Sequence, residues 1–372
     1  MEGTIAARRA EIAVKLARVR ALLDRQDLDG AVFTTHYNYS WLTAGGRNYV
    51  ASCFDAGATA LLVTREACFA FCSVIEEPRI RAEEQLEELG FSLACFGWER
   101  DETLALLAQR ADPARLIADR PLGEIPSRED LLAPLRYDLT EGEQARYRWL
   151  GHHLSEALEG YLLTVRPGMT EYEIAGGISQ ALWRQGIDPV MLLVTADERT
   201  ARLRHGLPTG KPLKKSLIVS VNGRYQGLIT TVSRMVSIGT PHPEVEARYR
   251  ACLAVESAGM ETMRPGAAGS EVCRQIQASY TAQGWPEMFA RHGQGGCQGY
   301  LPREHMFTAD TDRTVGPDRA YCFNPVIDGA KTEDAFLLGQ DGLTLLTYPV
   351  HFETVPMTVQ GRVLLRPVIA VL

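Results

Sequence analysis

The sequence predicts a mixed α/β protein of two domains, an N-terminal α/β layer domain and a C-terminal domain built on an internal pseudo-twofold repeat. Three observations carry the prediction. Helix and strand signals alternate through the first third, two 21-residue segments repeat at an offset of 98 residues, and a strand-turn-strand pattern follows the first copy. At 372 residues, with 45% hydrophobic and 23% charged content, the chain is long enough for two cores of ordinary size.

In chain order, an amphipathic run predicts a helix over 5–26, followed by a strand over 29–34. Strands are expected at 58–64, 68–74, 91–96 and 114–118, and helices at 79–89, 101–110 and 127–134. Such alternation predicts a layered domain with its own sheet. Thr140 followed three residues later by Glu143 is a capping box that starts a long helix. The domain boundary is therefore expected at 136–141, giving domains of 1–138 and 139–372.

The repeat pairs RPGMTEYEIAGGISQALWRQG (166–186) with RPGAAGSEVCRQIQASYTAQG (264–284), identical at 7 of 21 positions. Each copy reads as an Arg-Pro-Gly turn, a capped amphipathic helix and a terminal glycine. Two copies predict a pseudo-twofold domain rather than a solenoid. Between them, Leu217 to Val221 is an apolar run, Asn222-Gly223 a turn signal and Ile229 to Val232 a β-branched return, a predicted hairpin. The repeat brings this hairpin together with the segment holding Asn324 and Glu333.

A net charge of -7, a pI near 5.7 and scattered basic residues exclude a nucleic-acid partner. No run of 18 apolar residues predicts a membrane span, and the N-terminus lacks the apolar core of a signal peptide. Eight cysteines without a CxxC pair read as buried thiols in a reducing cytoplasm.

Ser220 and Thr231 stand eleven apart on the two strands of the hairpin; the glycine-rich Arg291-His292-Gly293-Gln294-Gly295-Gly296, then Phe323-Asn324-Pro325 and Lys331-Thr332-Glu333-Asp334, follow in that order. This pattern resembles the metal site of the pita-bread superfamily, which comprises methionine aminopeptidase, proline dipeptidase, Xaa-Pro aminopeptidase and creatinase. The resemblance implies a creatinase-type N-terminal domain and a curved sheet backed by helices in the second. The hydrolases of that superfamily carry two Asp on the hairpin, a His, and two Glu. At the matching positions this chain has Ser220, Thr231, His292, Asn324 and Glu333, so three of five ligands are replaced and no metal or other cofactor is expected.

His205, in the Gly/Pro-punctuated loop Arg202 to Thr209, matches the superfamily histidine that transfers protons in creatinase, which also works without metal. The resemblance thus implies a metal-independent hydrolase of a C–N bond in a small amino-acid-derived substrate, with His205, His292 and Glu333 in catalysis. Ser220, Thr231, Asn324, Arg204, Arg303 and His305 are expected around the substrate. In creatinase-type homodimers the partner's N-terminal domain borders the pocket, which implicates Arg47. Elimination or isomerisation by the same His is a related chemistry. Two other readings stand beside this one: a non-catalytic module that binds a peptide or small ligand, and a metal-dependent Xaa-Pro aminopeptidase.

Overall fold

The computed structural model describes residues 3–340 and 342–372. Two compact units emerge, one reaching to Glu143 and including Gln226–Leu228, the other comprising Gln144–Tyr225 and Ile229–Leu372.

The first unit opens with α1 (Ile5–Gln26), capped where the Thr4 side chain accepts from Ala7 N and ended by Asp27 in the left-handed region at φ 51°. Its inward stripe, Ile12, Val19, Leu22 and Leu23, also carries the buried Lys15, whose ammonium lies 2.5 Å from Glu11 and 2.8 Å from Glu143. There follow β1 (Gly30–Thr35), α2 (His36–Leu42), β2 (Ala56–Thr64), β3 (Cys68–Ser73), α3 (Glu77–Arg79), β4 (Ser92–Phe96), α4 (Thr103–Ala108), β5 (Leu116–Ala118) and α5 (Glu129–Leu132). The sheet runs β4-β3-β2-β1-β5, with Val32, Leu62, Phe71 and Leu116 in one of its cores.

The helix expected over 79–89 is not continuous: α3 passes into a single wide turn, Ile80–Glu84, and Gln85 takes φ 56°. A tertiary contact overrides helix propensity here, because the buried Glu84 carboxylate accepts from Arg47 N at 2.9 Å and from the Arg79 guanidinium at 3.2 Å. The expected helix 127–134 likewise divides at Pro134, where α5 tightens into the 3₁₀ turn Ala133–Arg136.

α6 (Glu141–Leu162) carries the expected capping box, with Thr140 N donating to Glu143 Oε2 at 2.7 Å and Glu143 N to Thr140 Oγ1 at 3.2 Å. The second unit continues with α7 (Glu171–Trp183), β6 (Asp188–Ala196), α8 (Glu198–Arg202), β7 (Ser216–Tyr225), β8 (Leu228–Ser237), α9 (Pro243–Glu261), α10 (Gly269–Ala282), β9 (Gly295–Gln298), β10 (His305–Met306), β11 (Arg319–Phe323), β12 (Val326–Ile327), β13 (Ala330–Lys331), β14 (Glu333–Gly339), β15 (Gly342–Leu345), β16 (Thr354–Val359), β17 (Arg362–Pro367) and β18 (Ala370–Val371). Its large sheet has the order β10-β9-β11-β14-β8-β7-β6, with β15 on β14 and β18 on β8.

The repeat is a structural one. Gly168 N donates to Leu213 O and Gly266 N to Val315 O, both at 2.8 Å, and isolated bridges join Thr170 to Pro212 and Ala268 to Thr314. Both copies end on a left-handed glycine, Gly186 at φ 70° and Gly284 at φ 85°.

The hairpin differs from expectation in one respect. Its turn is Gln226-Gly227, both at positive φ (48° and 82°), and Asn222-Gly223 lies inside β7 opposite β6. Gly223 serves packing instead: a Cβ there would stand 2.8 Å from Ile187 Cγ2 and 2.9 Å from Leu154 Cδ1. Of the cysteines, Cys53 is exposed rather than buried. Among the described residues no helix is long and apolar enough to cross a membrane.

Candidate active site

Three neighbouring strands, β7, β8 and β14, carry Ser220, Thr231 and Glu333 of the expected polar residues. Because the turn falls at Gln226-Gly227, Ser233 rather than Thr231 stands across from Ser220, and their Oγ atoms are 2.7 Å apart. Glu333 is in register with Ser233, whose hydroxyl donates to Glu333 Oε2 at 2.7 Å. Lys331 reaches the same carboxylate at 3.0 Å and donates to Ser220 Oγ at 2.9 Å. A carboxylate only accepts, so the chain of donors runs from Lys331 to Ser220 to Ser233 to Glu333. Arg303 closes the cluster, with Nη2 3.2 Å from Glu333 Oε1.

Glu333 is 3% and Lys331 4% exposed, so this cluster is desolvated. Burial opposes ionisation of Glu333, yet Lys331, Arg303 and the Ser233 hydroxyl outweigh it and hold the carboxyl down at about 2. Thr231 turns to other partners: its hydroxyl donates to Cys322 Sγ at 2.9 Å and accepts from Gln298 Nε2 at 3.0 Å. Burial pushes the Cys322 thiol well up, which keeps it protonated and a poor nucleophile.

His292 leaves the 3₁₀ turn Pro286–Arg291 in extended conformation, just ahead of β9. The glycines after it permit close strand approach, since a Cβ on Gly295 would lie 2.0 Å from Cys322 O and one on Gly296 2.2 Å from His305 O. Asn324 orients the ring. Its Nδ2 donates to Gly293 O at 2.9 Å and Gln294 O at 3.1 Å, and its Oδ1 accepts from His292 Nε2 at 3.2 Å. That leaves the lone pair of His292 on Nδ1. Burial first, and the positive charge of Lys331 second, lower the imidazole to about 4, so it is neutral near pH 7.

His205 is exposed and packs edge-on to His292 with ring centroids 5.3 Å apart. Its loop is anchored from both ends. Buried Glu171 accepts from Ala196 N at 2.8 Å, Thr209 N at 2.9 Å and the Arg199 guanidinium, while Asp197 accepts from Lys214, Lys215 and Ser216 N–H at 2.6–3.1 Å. Those three bonds offset the positive φ of 56° at Asp197.

The remaining expected residues are engaged elsewhere. Arg204 pairs with Asp328 at 2.6 Å, and Arg303 is committed to Glu333. His305 lies on β10 with its ring 5.5 Å from Phe307, and burial together with Arg313 and Arg319 lowers it to about 4. Arg47 belongs to the first unit. Lys331, Ser233 and Gln298 are the members that motif reading missed. Strand alternation was the available signal for one of them, Ser233, which lies two residues after Thr231 on β8 and so on the same side; Lys331, two residues before Glu333, ends the separate short strand β13.

The donor set does not fit a pair of divalent cations. Two such ions repel and need several anionic oxygens around them. The one carboxylate, Glu333, already accepts from Lys331, Arg303 and Ser233, and Ser220, Thr231 and Asn324 supply neutral groups. Among the described residues no three His, Cys, Asp or Glu side chains are grouped to hold a metal ion.

Residues 146–338 match the model of metallopeptidase family M24. The chain belongs to that family. It is 27% identical over 188 residues to the probable dipeptidase PepE of Mycobacterium tuberculosis, an alignment covering 47% of this chain and 49% of that protein. An uncharacterized peptidase of Staphylococcus aureus is 22% identical over 232 residues, covering 59% and 64%. The chain thus spans about half the length of the first of these curated relatives.

Solved structures share the M24 two-domain fold across nearly the whole chain. The Xaa-Pro dipeptidase of Bacillus anthracis superposes with TM-score 0.77 at 18% identity, covering 97% of this chain and 100% of that one. The dipeptidase PepE of Mycobacterium ulcerans gives 0.77 at 19%, covering 98% and 99%. The N-terminal domain of FACT complex subunit SPT16 from Cicer arietinum gives 0.67 at 12%, covering 90% and 96%.

Proposed function

We propose that the chain hydrolyses a C–N bond in a small, carboxylate-bearing, amino-acid-derived molecule, without a bound metal and with a histidine as proton carrier. The carrying observation is that Glu333, the one carboxylate at the matching positions, is ion-paired to Lys331 and Arg303 while His205 and His292 stand side by side. Internal cations thus fill the electrostatic place of metal ions, and the proton chemistry is left to imidazoles.

In this reading His205 takes a proton from the attacking water and delivers it to the leaving nitrogen as the C–N bond breaks. His292, neutral and fixed by Asn324, accepts a hydrogen bond at Nδ1 and orients the water. Family membership and the likeness to proteins named dipeptidases support C–N hydrolysis as the reaction class. The reading includes a cytoplasmic homodimer in which Arg47 of each chain serves the neighbouring chain's site.

The test joins elemental analysis of the purified protein to a turnover screen of amide, imino and guanidino substrates. Expected are turnover that resists chelators and a loss of about 100- to 10,000-fold in kcat for His205→Ala. Near-stoichiometric metal with chelator-sensitive peptide cleavage would refute the proposal.

A second reading, a non-catalytic binding module, draws on the closed state of the cluster and on the likeness to the SPT16 domain. It predicts no turnover and a ligand affinity unmoved by His205→Ala.

A further inference from the structure

Cys72 and Cys95 stand opposite each other on the neighbouring parallel strands β3 and β4 of the first unit, and their Sγ atoms are 3.8 Å apart. Registered residues of a sheet point to the same face, and neighbouring strands lie about 4.8 Å apart. That spacing falls inside the range of about 4.4–6.8 Å found between the Cα atoms of disulfide-bonded cysteines. Rotation about the two Cα–Cβ bonds, with a small shift of one strand, therefore brings the sulfurs to bonding distance. β4 is the strand able to shift, because it ends the sheet beside β3 and none of its residues is fully buried.

The two thiols differ. Cys72 is buried, whereas Cys95 is partly exposed. Burial first, and the contact with Cys95 second, push the Cys72 thiol up to about 12, so it stays protonated. Cys95 is raised as well, by burial first and by Glu77, but the hydrogen bond with Cys72 and the charge of Arg81 oppose that shift. Once Cys95 ionises, the Cys72 S–H is the donor to its thiolate. A sulfur that solvent reaches, in contact with a second thiol that keeps its proton, is the arrangement of an oxidisable cysteine and its resolving partner.

We propose that Cys72 and Cys95 form a reversible redox site, a dithiol that a hydroperoxide converts to a disulfide joining β3 to β4. The Cys95 thiolate attacks one oxygen of hydrogen peroxide and the O–O bond breaks. Hydroxide leaves, takes up the proton that Cys95 had released, and Cys95 is left as a sulfenic acid. The Cys72 sulfur then attacks the Cys95 sulfur, and the Cys72 proton departs with the hydroxyl group as a second water. Each sulfur has given up one electron, the peroxide has taken two, and the protein has lost two hydrogens. A dithiol reductant reverses the bond by exchange. The site does not depend on the hydrolase reading.

The test uses the full chain with Cys53→Ser, which removes the exposed thiol, treated with hydrogen peroxide and then alkylated in denaturant and peptide-mapped. Expected are a peptide pair joined through Cys72 and Cys95, two fewer alkylated thiols, and full reversal by dithiothreitol. Because the Cys95 thiol lies above its ordinary 9.0, the bond should form about 50- to 100-fold faster at about pH 9 than at about pH 7. In Cys72→Ser the Cys95 sulfenic acid should persist and be trapped by dimedone, while Cys95→Ser should leave Cys72 unmodified. The map of the Cys53→Ser protein decides the pairing even if Cys72→Ser fails to fold. Both thiols still alkylated after peroxide treatment, or Cys95 carried to a sulfinic acid beside an alkylated Cys72, overturns the proposal.

Discussion

Replacing Lys331 by Met removes a charge while keeping an unbranched chain of similar bulk. The ammonium lies 3.0 Å from Glu333 Oε2, with both side chains at most 5% exposed. At an effective dielectric of about 20 that attraction is about 5 kcal/mol. Part of it is returned because a thioether needs no hydration, and Glu333 keeps Arg303 at 3.2 Å and Ser233 at 2.7 Å. The net cost is therefore about 3 kcal/mol, at the low end for breaking a buried pair. For a unit of this size it lowers Tm by about 6–12 °C, readable by calorimetry at pH 7. Glu333→Gln in the same background should recover much of the loss, giving a coupling of about 2 kcal/mol in a double-mutant cycle. A single-variant cost below about 1 kcal/mol with no coupling would refute the idea that Lys331 is the cation neutralising Glu333.

Other outcomes follow from the same geometry. His292 is lowered from 6.5 to about 4, so the unfolded chain binds its proton first and the parent loses stability as pH falls from 6.5 toward 4. His292→Gln should flatten urea midpoints over that window, and an unchanged slope would contradict the buried neutral imidazole. Gly227→Ala should cost about 1 kcal/mol because the turn holds φ at 82°, measurable as a shift in the urea midpoint. Dialysis against a chelator should leave the melting temperature unchanged, because the cluster is neutralised by its own side chains; a drop would indicate a bound ion.

Local patterns were legible where a short stretch decides the outcome by itself. Thr140 and Glu143 cap α6 as their spacing requires, and the Arg-Pro-Gly copies end on left-handed glycines in both halves. The hairpin turn was not legible, because Asn222-Gly223 is the stronger local signal and yet lies inside β7, paired with β6. Gln226 has no such preference and takes positive φ because the turn closes two ten-residue strands. A shift of that kind changes who faces whom, and with it Ser233 displaces Thr231 as the neighbour of Ser220.

Sequence by itself determined the family, the repeat, and the neutral side chains at Ser220, Thr231 and Asn324, since each is a property of residue type and order. Only the tertiary structure decided which charged groups gather beside Glu333. Lys331 and Arg303 come from a strand and a loop 28 residues apart, and nothing in their local sequence says that both end on Glu333. Buried charges choose partners by distance and desolvation, which are set when the sheet closes rather than along the chain.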